Sequence, residues 1–346
     1  MNSEESSDPV HVADIEILAE SEHTKVVFAR GDSEYLLVTF SPMRQAGEHE
    51  AFWADKFALK NRVTTLSFVA KQAHWYPNAD TRRLIRAIRP ELPTQLRRVL
   101  YGFSMGGYAA LKFSKLLAAD VVLAFSPQFS IDPNEIDDER FRANFRPYNR
   151  RMSIEAADLS TRSMIVFDRM HTLDRLNALL IRKQQPSTVA LLPVRYADHA
   201  TVNLVLGSDI LKRVIALTQQ RPLLAKRSIA ALLHSQRKQS PMYYASLGKR
   251  LHASGRHKLA TRVLALAAER SPKSALALSV SASAVAKTDL DTAIHMLEGV
   301  DSPRALRTLA GLYMKAGNLQ HAAECLARAE QRSNKRPSID EPLNSK

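Results

Sequence analysis

The residues best placed to do chemistry form one short run, Gly102-Phe103-Ser104-Met105-Gly106-Gly107. Strand-forming Arg98-Val99-Leu100-Tyr101 leads into it, and Tyr108-Ala109-Ala110-Leu111-Lys112, of helical propensity, follows. A serine between glycines at a strand-to-helix turn is the pattern that lifts a nucleophile above a sheet edge. The glycines meet a steric need, because a turn this sharp brings strand and helix too close for side chains beside the serine. The helix N-terminus behind Ser104 aims backbone N–H groups and a partial positive charge at any oxyanion formed there.

A serine hydroxyl is a poor nucleophile at neutral pH and needs a base, usually a histidine, oriented by a carboxylate. Among the eleven histidines His199 is the favoured base, since it follows the last strand of its region and precedes the last helix. His171 is its main rival and His74 a weaker one. Two carboxylates stay open as the acid: Asp174, which leads a helix, and Asp168, which ends a strand. His74-Trp75-Tyr76 follows another strand and is read as substrate-pocket lining, with a surface aromatic cluster as the alternative.

The elements that must position these groups alternate. Strand patterns cover 11–18, 24–30, 35–40, 64–70, 98–101, 120–125, 163–168 and 188–194, with helical stretches at 81–88, 173–183 and 202–217 among them. Most strands are apolar on both faces. This predicts an α/β fold, a mainly parallel sheet with helices on both faces. Ligands of such sheets bind at the carboxyl ends of the strands, where every residue named above falls.

The order Ser104, Asp168 or Asp174, then His199, together with Gly102-Phe103-Ser104-Met105-Gly106-Gly107, resembles the α/β-hydrolase superfamily over residues 10–220. The resemblance implies Ser104 as nucleophile, His199 as general base and, since the family's acid lies a few residues beyond its strand, Asp174 in preference to Asp168. It implies Met105 as one oxyanion donor and a second from the loop after the third strand, Met43 or Ser41, because Pro42 between them has no N–H. It also implies a cap at residues 130–160, which carry Asp137-Asp138-Glu139-Arg140 and then Arg142, Arg146, Arg150 and Arg151. Those arginines either select an anionic substrate or form a solvated charged lid. There is no His-Gly-Gly-Gly loop of the lipase type.

From residue 221 the composition turns to Ala, Leu, Lys and Arg. Residues 1–220 hold 28 Lys/Arg against 26 Asp/Glu, whereas residues 221–346 hold 21 against 9 and so carry +12 of the net charge of +14. Within this part, Leu247, Gly248, Gly255 and Ala260 recur at the same internal offsets as Leu309, Ala310, Gly317 and Ala322. Residues 241–334 thus resemble tetratricopeptide repeats, with 221–240 a basic linker or helix, 1–9 a disordered acidic N-terminus and 335–346 a disordered tail. The repeats imply an acidic protein partner. Nucleic acid is disfavoured by sparse aromatics and the lack of a reading motif.

Cys325 is the only cysteine, which excludes an internal disulfide framework. No metal-ligand spacing, P-loop or dinucleotide fingerprint occurs, so the expectation is no cofactor and no metal. No apolar run suggests a membrane span, and the polar N-terminus gives no secretory signal, so a cytoplasmic location is expected. The function expected is a serine hydrolase of the esterase or acyl-hydrolase type on a small-molecule or acylated substrate. The alternatives are an acyltransferase to a sugar or amine, and a catalytically silent hydrolase-fold scaffold whose repeats do the work.

Overall fold

The computed structural model describes residues 15–45, 52–149, 152–270, 272 and 274–334. The expectations for residues 1–9, for the start of the first strand, for Arg150 and Arg151, and for the tail 335–346 lie outside the described residues. The chain divides into two compact units, the first holding residues 15–194 and 199–235 and the second residues 195–198 and 236–334. Among the described residues no helix is long and apolar enough to cross a membrane.

The first unit is built on eight strands: β1 (Ile15–Glu20), β2 (Thr24–Ala29), β3 (Tyr35–Phe40), β4 (Thr65–Ala70), β5 (Arg97–Phe103), β6 (Val121–Phe125), β7 (Ser163–Asp168) and β8 (Val189–Val194). They lie in the order β1-β2-β4-β3-β5-β6-β7-β8. β2 is antiparallel to both of its neighbours, and every pair from β4 to β8 is parallel. The parallel strands read as near-continuous apolar runs because both of their faces are covered. Leu36, Leu37 and Val38 are consecutive and all fully buried. The edge strand β1 instead exposes Ile15, Glu16 and Ile17.

Register places the strand ends level. Phe40 of β3 pairs with Phe68 and Gly102, and Phe103 pairs with Phe125. The loops after β3, β4, β5 and β6 therefore leave the sheet on one rim. β3 lies between β4 and β5, so successive connections run to opposite sides of it, the arrangement that opens a crevice at the strand ends.

Among the described residues six α-helices complete the unit: α1 (Asp55–Lys60), α2 (Asn78–Ile88), α3 (Met105–Lys112), α4 (Thr172–Gln184), α5 (Ser208–Leu217) and α6 (Pro222–Gln236). One sheet face, including Leu36, Val38 and Leu100, joins a core with Leu84 and Ile85 of α2, Tyr108 of α3 and Ile181 of α4. The helix expected over 202–217 is broken. A 3-10 turn covers Thr201–Val205, and α5 starts only after Gly207, whose φ of 93° no helix accommodates. The basic linker expected at 221–240 contains α6, grouped with the first unit, with Ala225, Ile229, Leu232 and Leu233 buried at helical spacing.

The segment between β6 and β7 is no free-standing charged lid. Its Phe129, Ile131, Phe141, Met152 and Ile154 belong to the main core. Lys112 of α3 donates to Asp158 at 2.7 Å with both side chains almost wholly buried, and Arg82 of α2 reaches the other carboxylate oxygen at 2.7 Å. Cutting one partner from such a buried pair costs roughly 3–5 kcal/mol, because a desolvated charge is stranded.

The second unit is all helical: α7 (Pro241–Ala253), α8 (His257–Arg270), α9 (Ala275–Val285), α10 (Leu290–His295), α11 (Pro303–Lys315) and α12 (Leu319–Asn334). α7 packs on α8 and α11 on α12, while α9 lies against α7 and α11 as well as α8 and α10. Ser240, Ser274, Asp289 and Ser302 cap helix N-termini with side-chain acceptors. Gly255 and Gly317 follow α7 and α11 in the left-handed region and end them.

Candidate active site

Ser104 sits at the junction of β5 and α3 with φ 53° and ψ −120°, a conformation costly for any residue with a Cβ. Its neighbours explain how it is held. A Cβ on Gly102 would lie 2.2 Å from the carbonyl oxygen of Gly106, and one on Gly106 would lie 2.2 Å from that of Phe40. The Ser104 N–H donates to Phe125 O at 2.9 Å, and its carbonyl accepts from Tyr108 N at 2.9 Å. Strain gathers on this rim. Of nine non-glycine residues with positive φ among those described, Trp75, Tyr76, Ser104 and Ser126 all follow strand carboxyl ends of this unit.

His199, in the loop after β8, has Nε2 3.0 Å from Ser104 Oγ. Its Nδ1 lies 3.0 and 2.9 Å from the two oxygens of Asp174, in the first turn of α4. A carboxylate can only accept, so Nδ1 carries the proton and Nε2 is left to accept from the serine hydroxyl. The imidazole is 27% exposed while the Asp174 side chain has no exposure, so the acid is shielded and the base is reachable. Burial alone would raise the Asp174 carboxyl. The hydrogen bond and charge of His199, with charge from His171 and Arg140, outweigh burial and lower it to about 2.

The other sequence candidates take different places. Asp168 ends β7, and its Oδ1 accepts the Met170 N–H at 2.9 Å, bracing the turn that leads to α4. His171 is the N-cap of α4, its Nδ1 accepting from Asp174 N at 3.2 Å. The Ser41 N–H donates to Phe68 O at 3.0 Å as an extension of the sheet, so its backbone donor is spent. Met43 opens a 3-10 turn, and Met105 opens α3; the first N–H groups of such turns have no acceptor within the helix.

His74, Trp75 and Tyr76 are buried. The Tyr76 hydroxyl donates to the carbonyls of Ser41 and Phe68, each at 3.0 Å. His74 Nε2 bonds His23 O at 2.7 Å while its Nδ1 accepts from Tyr76 N at 3.0 Å, and these roles define a neutral ring. Burial lowers its pKa in keeping with that. The corner they form is a scaffold under the rim. It turns through positive φ at both Trp75 and Tyr76, a conformation unmarked by any glycine or asparagine there.

Two contributors were not picked out from the sequence. Gln128, fully buried after β6, accepts from Trp75 Nε1 at 3.0 Å. The indole can only donate, so this contact fixes the amide orientation and turns Nε2 toward Ser104 Oγ at 3.4 Å. The rim rule that located Ser104 also applies to Gln128, at the end of β6. Arg140 was noted only as part of a charged run. It donates to Asp174 Oδ1 at 2.7 Å and forks onto Asp138 at 2.8 and 2.7 Å. Arg142 meets Asp137 and Glu139, and Arg146 meets backbone carbonyls. These three arginines are engaged within their own surroundings. Among the described residues no group of three His, Cys, Asp or Glu is arranged to hold a metal ion.

The eight-stranded mixed sheet, its helices and the strained serine turn are consistent with the α/β-hydrolase fold. No family model matches the chain, and no curated protein matches it. Among solved structures it is similar to the capsule O-acetyltransferase of Neisseria meningitidis serogroup A, at 14% identity over 58% of this chain and 93% of that one, with a TM-score of 0.45. It is also similar to an esterase of Pyrococcus furiosus, at 14% identity over 57% and 85% of the two chains, with a TM-score of 0.40. Alpha/beta hydrolase domain-containing protein 10 from mouse matches at 11% identity over 60% and 98%, also at 0.40.

Proposed function

We propose that the protein is a serine acyl hydrolase of the esterase type that works through an acyl-enzyme on Ser104. The observation that carries this reading is the hydrogen-bonded chain from Ser104 Oγ through His199 to the buried Asp174 carboxylate. His199 Nε2 takes the hydroxyl proton as Oγ attacks an acyl ester, and Asp174 stabilises the imidazolium that results. The N–H groups of Met105 and Met43 receive the oxyanion; losing one such donor typically costs about 10²–10³ in kcat. His199 then protonates the leaving alcohol, and water activated by the same imidazole releases the acyl group. Ser41, its N–H committed to the sheet, has no backbone part in this step.

The basic second unit is, in the same reading, a set of tetratricopeptide-like pairs that bind an acidic protein partner. Its excess of Lys/Arg and its three helix pairs support this. Stopped-flow hydrolysis of p-nitrophenyl acetate tests the acyl-enzyme. A burst of nitrophenol stoichiometric with enzyme, absent in Ser104→Ala, is the expected result, and its absence from the native protein would overturn the reading. Turnover that rises with an added sugar or amine acceptor would replace hydrolysis by acyl transfer.

A further inference from the structure

Arg140 lies in the 3-10 turn Glu139–Asn144 between β6 and β7, 34 residues before Asp174 and two after Asp138. Its guanidinium spans two buried carboxylates: Nη1 to Asp174 Oδ1, and Nε and Nη2 to the two oxygens of Asp138. Neither carboxylate side chain has any exposure. Asp138 also accepts from Asn177 Nδ2 at 3.0 Å, and Asn177 lies one turn beyond Asp174 on α4. The network thus grips α4 at both turns. Arg140 Nη1 is also 3.5 Å from His199 Nδ1. That nitrogen already carries its proton for Asp174, so the approach is one of charge and not a hydrogen bond.

We propose that Arg140 is a positioning residue for the Ser104 reaction, clamping the Asp174 carboxylate that orients the His199 ring. The proposal rests on the acyl-enzyme reading above. The other groups around His199 are His171, with ring centroids 6.2 Å apart, Asp138 behind Arg140, the chain neighbour Asp198, and the rings of Phe103 and Phe141. Arg140 is the only permanent cation among these named groups. Asp138 balances its charge, and the Phe141 ring lies 5.1 Å beneath it. A planar fork holds two carboxylates at once, which a lysine cannot reproduce.

The test is the rate of fluorophosphonate capture at Ser104 from pH 5 to 9 in the native protein, Arg140→Lys and the paired variant Arg140→Gln/Asp138→Asn. Arg140→Gln alone would strand the buried Asp138 charge, so the paired variant carries the experiment. The paired variant should take the label about tenfold more slowly than the native protein, and Arg140→Lys should fall as far, the charge being kept and the fork lost. In an Asp174→Asn background the paired change should have no further effect, which a merely structural role would not produce. A paired variant that takes the label at the native rate, or one that slows capture by the same factor when Asp174 is already Asn, would overturn the proposal and leave the acyl-enzyme reading standing. A native protein that takes no label would remove both.

Discussion

In the first unit the glycines beside Ser104 sit where a Cβ would strike backbone, at 2.2 Å for both Gly102 and Gly106. In the helical pairs, Gly255, Gly299 and Gly317 have nothing within 4 Å, and only φ of 77°, 77° and 75° sets them apart. The first kind is dictated by the close approach of β3, β5 and α3, the second by local backbone geometry alone. The site therefore depends on backbone packing at single residues, whereas among the glycines described in the helical unit only Gly248 would meet a neighbour that close, the flexible Leu264 side chain at 2.5 Å. Four substitutions test that contrast.

The largest effect is expected at the base. His199→Ala should slow fluorophosphonate capture at Ser104 by about 10⁴-fold, with thermal unfolding little changed. Gly106→Ala comes next and acts through packing. Forcing Phe40 and α3 apart should cost about 3 kcal/mol or more in urea unfolding and remove Ser104 reactivity with it. If Gly106→Ala keeps native stability, the steric account of the turn is wrong.

Asp174→Asn isolates a pH term. The Asp174 carboxyl is lowered from an ordinary 3.8 to about 2, so it contributes stability above pH 3.8 that is lost as pH falls toward 2. The stability difference between native protein and Asp174→Asn should therefore shrink by about 2 kcal/mol across that window. Urea melts at pH 5 and pH 2.5 check it, and a constant difference would contradict the buried, ionised acid. The smallest effect belongs to the helical unit. Gly317→Ala should cost about 1 kcal/mol from the left-handed φ and leave Ser104 capture unchanged.

Much of the first unit was legible because its signals are local. Apolar runs such as 35–40 and 163–168 fall on β3 and β7, and the glycine–serine run falls on a turn whose sterics demand it. Chain order places His199 after the last strand but leaves Asp168 and Asp174 both open, and only the contacts of His199 Nδ1 with Asp174 separate them. What escaped depended on side chains meeting across long separations. Gln128 gains its orientation from Trp75, 53 residues away, and Arg140 reaches Asp174 across 34 residues and His199 across 59. Nothing in a run of acidic and basic residues tells which of them turns inward. The break in the helix after residue 201 is not legible, because Gly207 is a single glycine in an otherwise periodic stretch. Ser41 and Met43 look alike in sequence, and only sheet pairing shows which N–H is already spent.

The most direct test of the central claim is to treat the purified full chain with a fluorophosphonate and locate the adduct by mass spectrometry, beside Ser104→Ala, His199→Ala and Asp174→Asn. The account predicts one adduct, on Ser104, lost in Ser104→Ala and slowed by orders of magnitude in the other two. Modification elsewhere, or capture at Ser104 that ignores His199 and Asp174, would contradict it.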